Sequence, residues 1–156
     1  MESRGRWDAP SDEFGIAYFA EHPRLAFAET LLRDLELDEI ASATLTSRAL
    51  VEVEVVRELR LVKMHGEGLR RLRATGAVVQ GPYTNTWAWS QALYGHPETP
   101  DGIRYRARRD DDLFAIALYD RAASTLVPQT STGLLDPALA RDLGTWLDHY
   151  GIGLGP

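Results

Sequence analysis

The sequence predicts an α+β fold, one domain in which helices pack on a mainly antiparallel sheet. Three observations carry it. Segments with strand and helix patterns follow one another in the order strand, helices, strands, helix, strands, helix. Val51-Glu-Val-Glu-Val55 alternates strictly between apolar and charged residues, the signature of a half-exposed strand. Leu113–Tyr119 is a continuous apolar run of the kind found in central strands.

Residues 1–14 are polar and turn-rich, and Gly15–Ala20 is a short apolar run that reads as a buried strand. A helix then opens at Pro23 and runs to about Asp34. Its apolar stripe is Leu25, Ala28 and Leu32, and Glu29 falls inside that stripe. A second helix is expected across Leu37–Leu50. Val51–Val55 and Leu59–Met64 read as strands, and their short link suggests a hairpin. A short basic helix, Leu69–Ala74, follows Gly66 and Gly68.

Gly81-Pro82 restarts the chain into a helix over Tyr83–Tyr94, with Tyr83, Trp87, Ser90 and Tyr94 along one side. Ile103–Arg108 reads as a strand with Ile103, Tyr105 and Ala107 on one face and Arg104, Arg106 and Arg108 on the other. Asp110-Asp-Asp112 turns the chain into the Leu113–Tyr119 run. The last helix has Asp136 as its cap, Pro137 as its first residue and Gly151 as its stop. Leu139, Leu143, Trp146, Leu147 and Tyr150 form its apolar stripe.

The chain has 156 residues, enough for one domain with a real core. Its net charge of −6, from 17 basic and 23 acidic residues, argues against direct nucleic-acid binding, whose footprint is basic. An anionic small ligand stays open, because it responds to local charge. The absence of cysteine excludes disulfides and thiolate chemistry and fits a cytoplasmic protein. No apolar run approaches a membrane span, and the N-terminus has no apolar signal core, so no membrane association is expected. There is neither a P-loop nor a Gly-x-Gly-x-x-Gly after a strand. His22, His65, His96 and His149 are scattered without metal-ligand spacing, so no metal is expected.

Glu29 is the strongest single candidate for chemistry, since a carboxylate facing a core needs a partner or a cavity. It reads equally well as an ion pair with Arg33 one turn on. Arg6 and Tyr18 are nearby candidates for the same site. Arg104, Arg106 and Arg108 read either as the solvated face of an edge strand or as a clamp for a pyrophosphate. The Tyr83–Tyr94 aromatics read as core before they read as a base-stacking platform.

Separated stretches stand in order along the chain: Gly5-Arg6-Trp7, Phe14–Tyr18, Ala26–Glu29, Gly81–Trp87, Pro100–Arg108, Ala115–Arg121 and the Leu-Asp-His-Tyr-Gly-Ile-Gly ending. Taken together they resemble the RES domain, the toxin of RES–Xre toxin–antitoxin pairs. The resemblance spans nearly all of residues 1–156. It implies an ADP-ribosyltransferase-like fold that takes NAD as substrate in a cleft, with no prosthetic group. It also implies an Xre-like antitoxin as partner and is compatible with a homodimer. The family's arginine, tyrosine and glutamate fall on Arg6, Tyr18 and Glu29, and its Tyr-Arg-Ser-Arg stretch falls on Tyr105–Arg108. Arg6, Tyr18, Arg106, Ala107 and Arg108 are therefore the expected NAD contacts. Arg6 would hold a pyrophosphate or phosphate, Tyr18 would pack on the nicotinamide or ribose, and Glu29 would stabilise the ribosyl cation.

The implied activity is cleavage of the nicotinamide–ribose bond by phosphorolysis or hydrolysis. The alternatives are ADP-ribose transfer to a host protein, or a domain that binds nucleotide or antitoxin without turnover. Two departures from the family pattern bear on that choice. Ala107 stands where the family usually has serine, and the chain starts short of an N-terminal strand that family members usually carry.

Overall fold

The structure, a computed structural model, describes residues 5–32 and 37–156. The first strand, β1 (Ile16–Ala20), leads into α1 (Pro23–Leu31). His22 caps that helix, its Nδ1 accepting from the Arg24 amide at 3.1 Å, and Pro23 sits in the first turn, where an amide would have no helical acceptor. Three short elements follow: β2 (Glu39–Ala41), α2 (Ser42–Thr46) and β3 (Ala49–Val55). Next come β4 (Leu61–Met64), α3 (Glu67–Arg71), α4 (Ala77–Gln80) and α5 (Tyr83–Tyr94). The chain finishes with β5 (Gly102–Arg106), β6 (Phe114–Tyr119), β7 (Leu126–Gly133), α6 (Ala140–Tyr150) and β8 (Gly153–Gly155).

The principal sheet has the order β1-β6-β5-β4, antiparallel except for the β5/β4 pair. Two smaller sheets stand beside it, antiparallel β3–β7 and parallel β2–β8. The expected α+β class with antiparallel pairing dominant is the one observed. Apolar residues gather in two clusters, and α1 feeds both. Leu25 joins Trp7, Phe14, Met64, Ile103, Tyr105 and Tyr119 against the principal sheet. Phe27, Ala28 and Leu32 face the other way, onto Ile40, Leu45, Leu143, Trp146 and Leu147. A helix packed on two sides places its remaining strip, with Glu29, along the seam.

Four expectations need correction. The helix expected over Leu37–Leu50 is β2, the five-residue α2 and the start of β3. Ile40 is claimed by a parallel pairing with Leu154 near the far end of the chain, which overrides local helical preference. The Val51–Val55 and Leu59–Met64 strands make no hairpin: the former pairs with β7 and the latter with β5. Arg57, in the link, reaches across to Asp101 in a two-pronged ion pair with contacts of 2.9 and 2.7 Å. The strand carrying Arg104 and Arg106 is interior, between β6 and β4, so the edge-strand reading of those arginines fails.

The basic helix expected over Leu69–Ala74 occupies Glu67–Arg71 instead. The proposed Glu29–Arg33 pair and the expected helix end at Asp34 fall on residues outside those described. Three elements, α4, β7 and β8, had no counterpart in the sequence reading. The end of α6 follows it closely, Gly151 taking the left-handed conformation (φ 65°) that closes a helix.

Candidate functional site

A cleft of about 1280 Å³ lies between the N-terminal segment, β1, α1 and the β5–β6 turn, and it reaches the end of α6. Arg6, Tyr18, Glu29, Arg106, Ala107 and Arg108 all line it.

The N-terminal wall is pinned by hydrogen bonds that sequence patterns do not reveal. Trp7 is fully buried, its carbonyl accepting from Ser90 Oγ at 2.6 Å. Trp87 Nε1 donates to the Gly5 carbonyl at 3.0 Å. Two polar groups of α5 therefore hold the Gly5–Trp7 backbone, which explains why that helix carries a serine buried on its inner face. Tyr18 completes the clasp: its hydroxyl accepts from the Trp7 amide at 2.8 Å and donates to Asp8 Oδ1 at 2.7 Å. The ring stays 42% exposed along the cleft, while burial at the hydroxyl end, then the bond to Asp8, push the phenol well above its ordinary pKa. It is a hydrogen-bonding wall, not a base.

Arg6 sits inside this clasp and is only 8% exposed. Its Nη1 donates to the carbonyls of Val79 and Gly81, and its guanidinium lies 4.6 Å from the centre of the Tyr83 ring. Nη2 is buried with no hydrogen-bond partner, and among the described residues no carboxylate pairs with Arg6. A buried cation held by neutral carbonyls, with donors to spare, calls for an anion.

Glu29 is held from the opposite wall. Its Oε1 accepts the backbone amides of Arg108 at 2.8 Å and Arg109 at 3.1 Å. Two amides on one oxygen orient the carboxylate at the edge of the cleft and leave the other oxygen without a partner among the described residues. The turn that supplies them is itself tied down. Asp110 Oδ2 accepts from Tyr150 at 2.8 Å and lies 3.0 Å from Arg24 Nη2, with His149 Nε2 3.9 Å away. Burial and the bond to Asp110 push Tyr150 up to about 12, so its hydroxyl remains a donor at neutral pH.

The arginines of β5 divide. Arg104 is neutralised by Glu21 (Nη2–Oε2 2.8 Å) and lies over the Phe114 ring at 3.8 Å. It also contacts His65 Nε2 at 2.7 Å, and since an arginine can only donate, that nitrogen is the acceptor. Burial and the neighbouring Arg104 lower the His65 pKa, in keeping with a neutral ring. Arg106 and Arg108 are exposed and line the cleft, Arg106 bonding the Asp111 carbonyl. Ala107 is 3% exposed, and its amide is already used by the Leu113 carbonyl.

Sequence reasoning missed Asp8, Asp110 and Tyr150. In the sequence Asp110 reads as a turn residue and Tyr150 as part of an apolar stripe, and neither pattern hints that the two would meet. Among the described residues there is no group of three or more His, Cys, Asp or Glu able to hold a metal. None of the described helices is long and apolar enough to cross a membrane.

The RES domain family model matches residues 2–139. The chain belongs to the RES domain family. A protein of Sinorhizobium fredii named probable toxin y4kH is 35% identical over 102 residues, which are 65% of this chain and 73% of that protein. The crystal structure of the M. tuberculosis MbcT–MbcA toxin–antitoxin complex contains a chain of the same fold. The match has a TM-score of 0.67 at 17% identity and covers 90% of this chain and 76% of that one. In this RES domain α6 begins at Ala140, beyond the matched segment, yet His149 and Tyr150 at its end line the cleft.

Proposed function

We propose that this RES domain is the toxin of a toxin–antitoxin pair and that its cleft takes NAD, cleaving the bond between nicotinamide and ribose. The observation that carries the reading is the pairing, across one cleft, of a buried guanidinium that has no carboxylate partner among the described residues with an amide-held carboxylate. NAD offers what each wall lacks. Its pyrophosphate is the anion for Arg6, with Arg106 and Arg108 adding positive charge along the lining. Its ribosyl carbon becomes cationic as nicotinamide departs, and Glu29 is the fixed negative charge that stabilises it.

In the reaction the C1′–N bond breaks, its electron pair leaving with nicotinamide, which becomes neutral. An oxygen of phosphate or water forms the new bond to C1′, and water loses a proton in doing so. Tyr18 forms the wall along which nicotinamide or ribose packs. The named toxin relative and the toxin–antitoxin neighbour support an antitoxin partner for this chain, and the family resemblance makes an Xre-like protein the first candidate.

Purified protein incubated with NAD tests the reading. Nicotinamide release that accelerates with inorganic phosphate and yields a phosphorylated ADP-ribose supports phosphorolysis. Release independent of phosphate supports hydrolysis, and label retained on a protein band marks transfer to a protein acceptor. No release at high protein concentration overturns the reading.

A further inference from the structure

The turn between β5 and β6 meets the helices α1 and α6 through contacts of different kinds. Its amides at Arg108 and Arg109 hold Glu29 from α1, while the next side chain, Asp110, is gripped by Arg24, also from α1, and by Tyr150 from α6. The Asp110 carboxylate is only 7% exposed, so its two strong partners meet it largely out of water. A turn fastened at one residue by a carboxylate that is itself largely buried presents the preceding amides in a fixed direction. The position of the Glu29 carboxylate then depends on α6, a helix beyond the segment matched to the family.

We propose that Asp110 is a positioning residue: clamped between Arg24 and Tyr150, it holds the turn whose amides fix Glu29, and so makes α6 part of the working site. The clamp concerns the turn itself, whereas its effect on turnover rests on the NAD reading above. Asp110 acts through main-chain amides and Glu29, not on substrate. Its loss should therefore lower kcat by misplacing one charge, without weakening substrate binding much.

The test uses Asp110→Asn, which keeps shape, Tyr150→Phe, which deletes one hydroxyl, and the double variant of the full chain. Two readouts are needed: amide hydrogen exchange at Arg108 and Arg109 by NMR, and steady-state nicotinamide release. The expected result is exchange at those amides roughly tenfold faster. It comes with kcat lower by roughly tenfold and KM within about twofold of the parent. The double variant should be little worse than Asp110→Asn alone, because both changes open one clamp. Unchanged exchange in both single variants overturns the proposal, and so do losses that simply multiply in the double variant. If the parent protein releases no nicotinamide, the NAD reading falls, and the exchange arm still decides whether the clamp holds the turn. Tyr150→Phe keeps the test open should Asp110→Asn fail to fold.

Discussion

Glu29 Oε1 is committed to the amides of Arg108 and Arg109, and among the described residues Oε2 has no partner; on the proposed reading, Oε2 is the oxygen that meets the ribosyl cation. Glutamine in its place keeps a carbonyl oxygen able to accept both amides but loses the charge. Glu29→Gln should therefore retain the parent's unfolding midpoint while nicotinamide release falls by on the order of a hundredfold or more. Full activity would move the stabilising charge elsewhere. Gly5 matters for another reason. A Cβ there would lie 2.6 Å from Tyr18 Cζ, inside any real contact distance. Gly5→Ala should displace Tyr18, lowering stability by about 1–3 kcal/mol in thermal unfolding. At this scale the sequence was partly legible. A carboxylate in an apolar stripe announced Glu29, but its partners are main-chain amides, which leave no mark on the identity of the residues that carry them. Arg6 and Tyr18 stand out in the sequence only as nearby candidates, and the family resemblance is what gives them roles. That Arg6 is buried, with Nη2 lacking a hydrogen-bond partner among the described residues, emerges only in the folded chain.

At the scale of elements, the tie between Arg57 and Asp101 does what a hairpin was expected to do. Asp101 also accepts the Arg60 amide at 2.8 Å, so one buried carboxylate fastens the β3–β4 link to the start of β5. The Arg57 guanidinium beside it holds its pKa at about 2, below the ordinary 3.8. The sign follows from linkage. The folded state binds this proton less readily than the unfolded chain, so the stabilisation is complete above the unfolded value and fades as pH falls through the folded one. Urea midpoints measured between about pH 4 and pH 2 should fall steeply for the parent protein and less steeply for Asp101→Asn, which should also be less stable at neutral pH. Parallel curves would assign the acid sensitivity to other carboxylates. The strands that escaped sequence reading share a physical cause. Pro128 interrupts β7 at its irregularity, where the register shifts between Val51 and Val53, and a proline at a bulge hides the strand from pattern. The three-residue β2 and β8 exist only because they meet each other.

Across the whole molecule, a net charge of −6 coexists with a cleft whose lining includes Arg6, Arg106 and Arg108. Net charge therefore argued against nucleic acid without touching the question of an anionic ligand. The α+β class was legible because β1, α1, α5, β5, β6 and α6 each carry a strong local pattern. The cleft was not, because it arises where the two apolar clusters meet at α1 and where α6 returns to the β5–β6 turn. On the proposed reading this cleft cleaves NAD with Glu29 as its fixed charge. Chromatographic detection of free nicotinamide, from NAD incubated with the parent protein and with Glu29→Gln side by side, tests it most directly. Release by the parent and its near-abolition in the folded variant are the expected results. Equal release by both, or none from the parent, would contradict the reading.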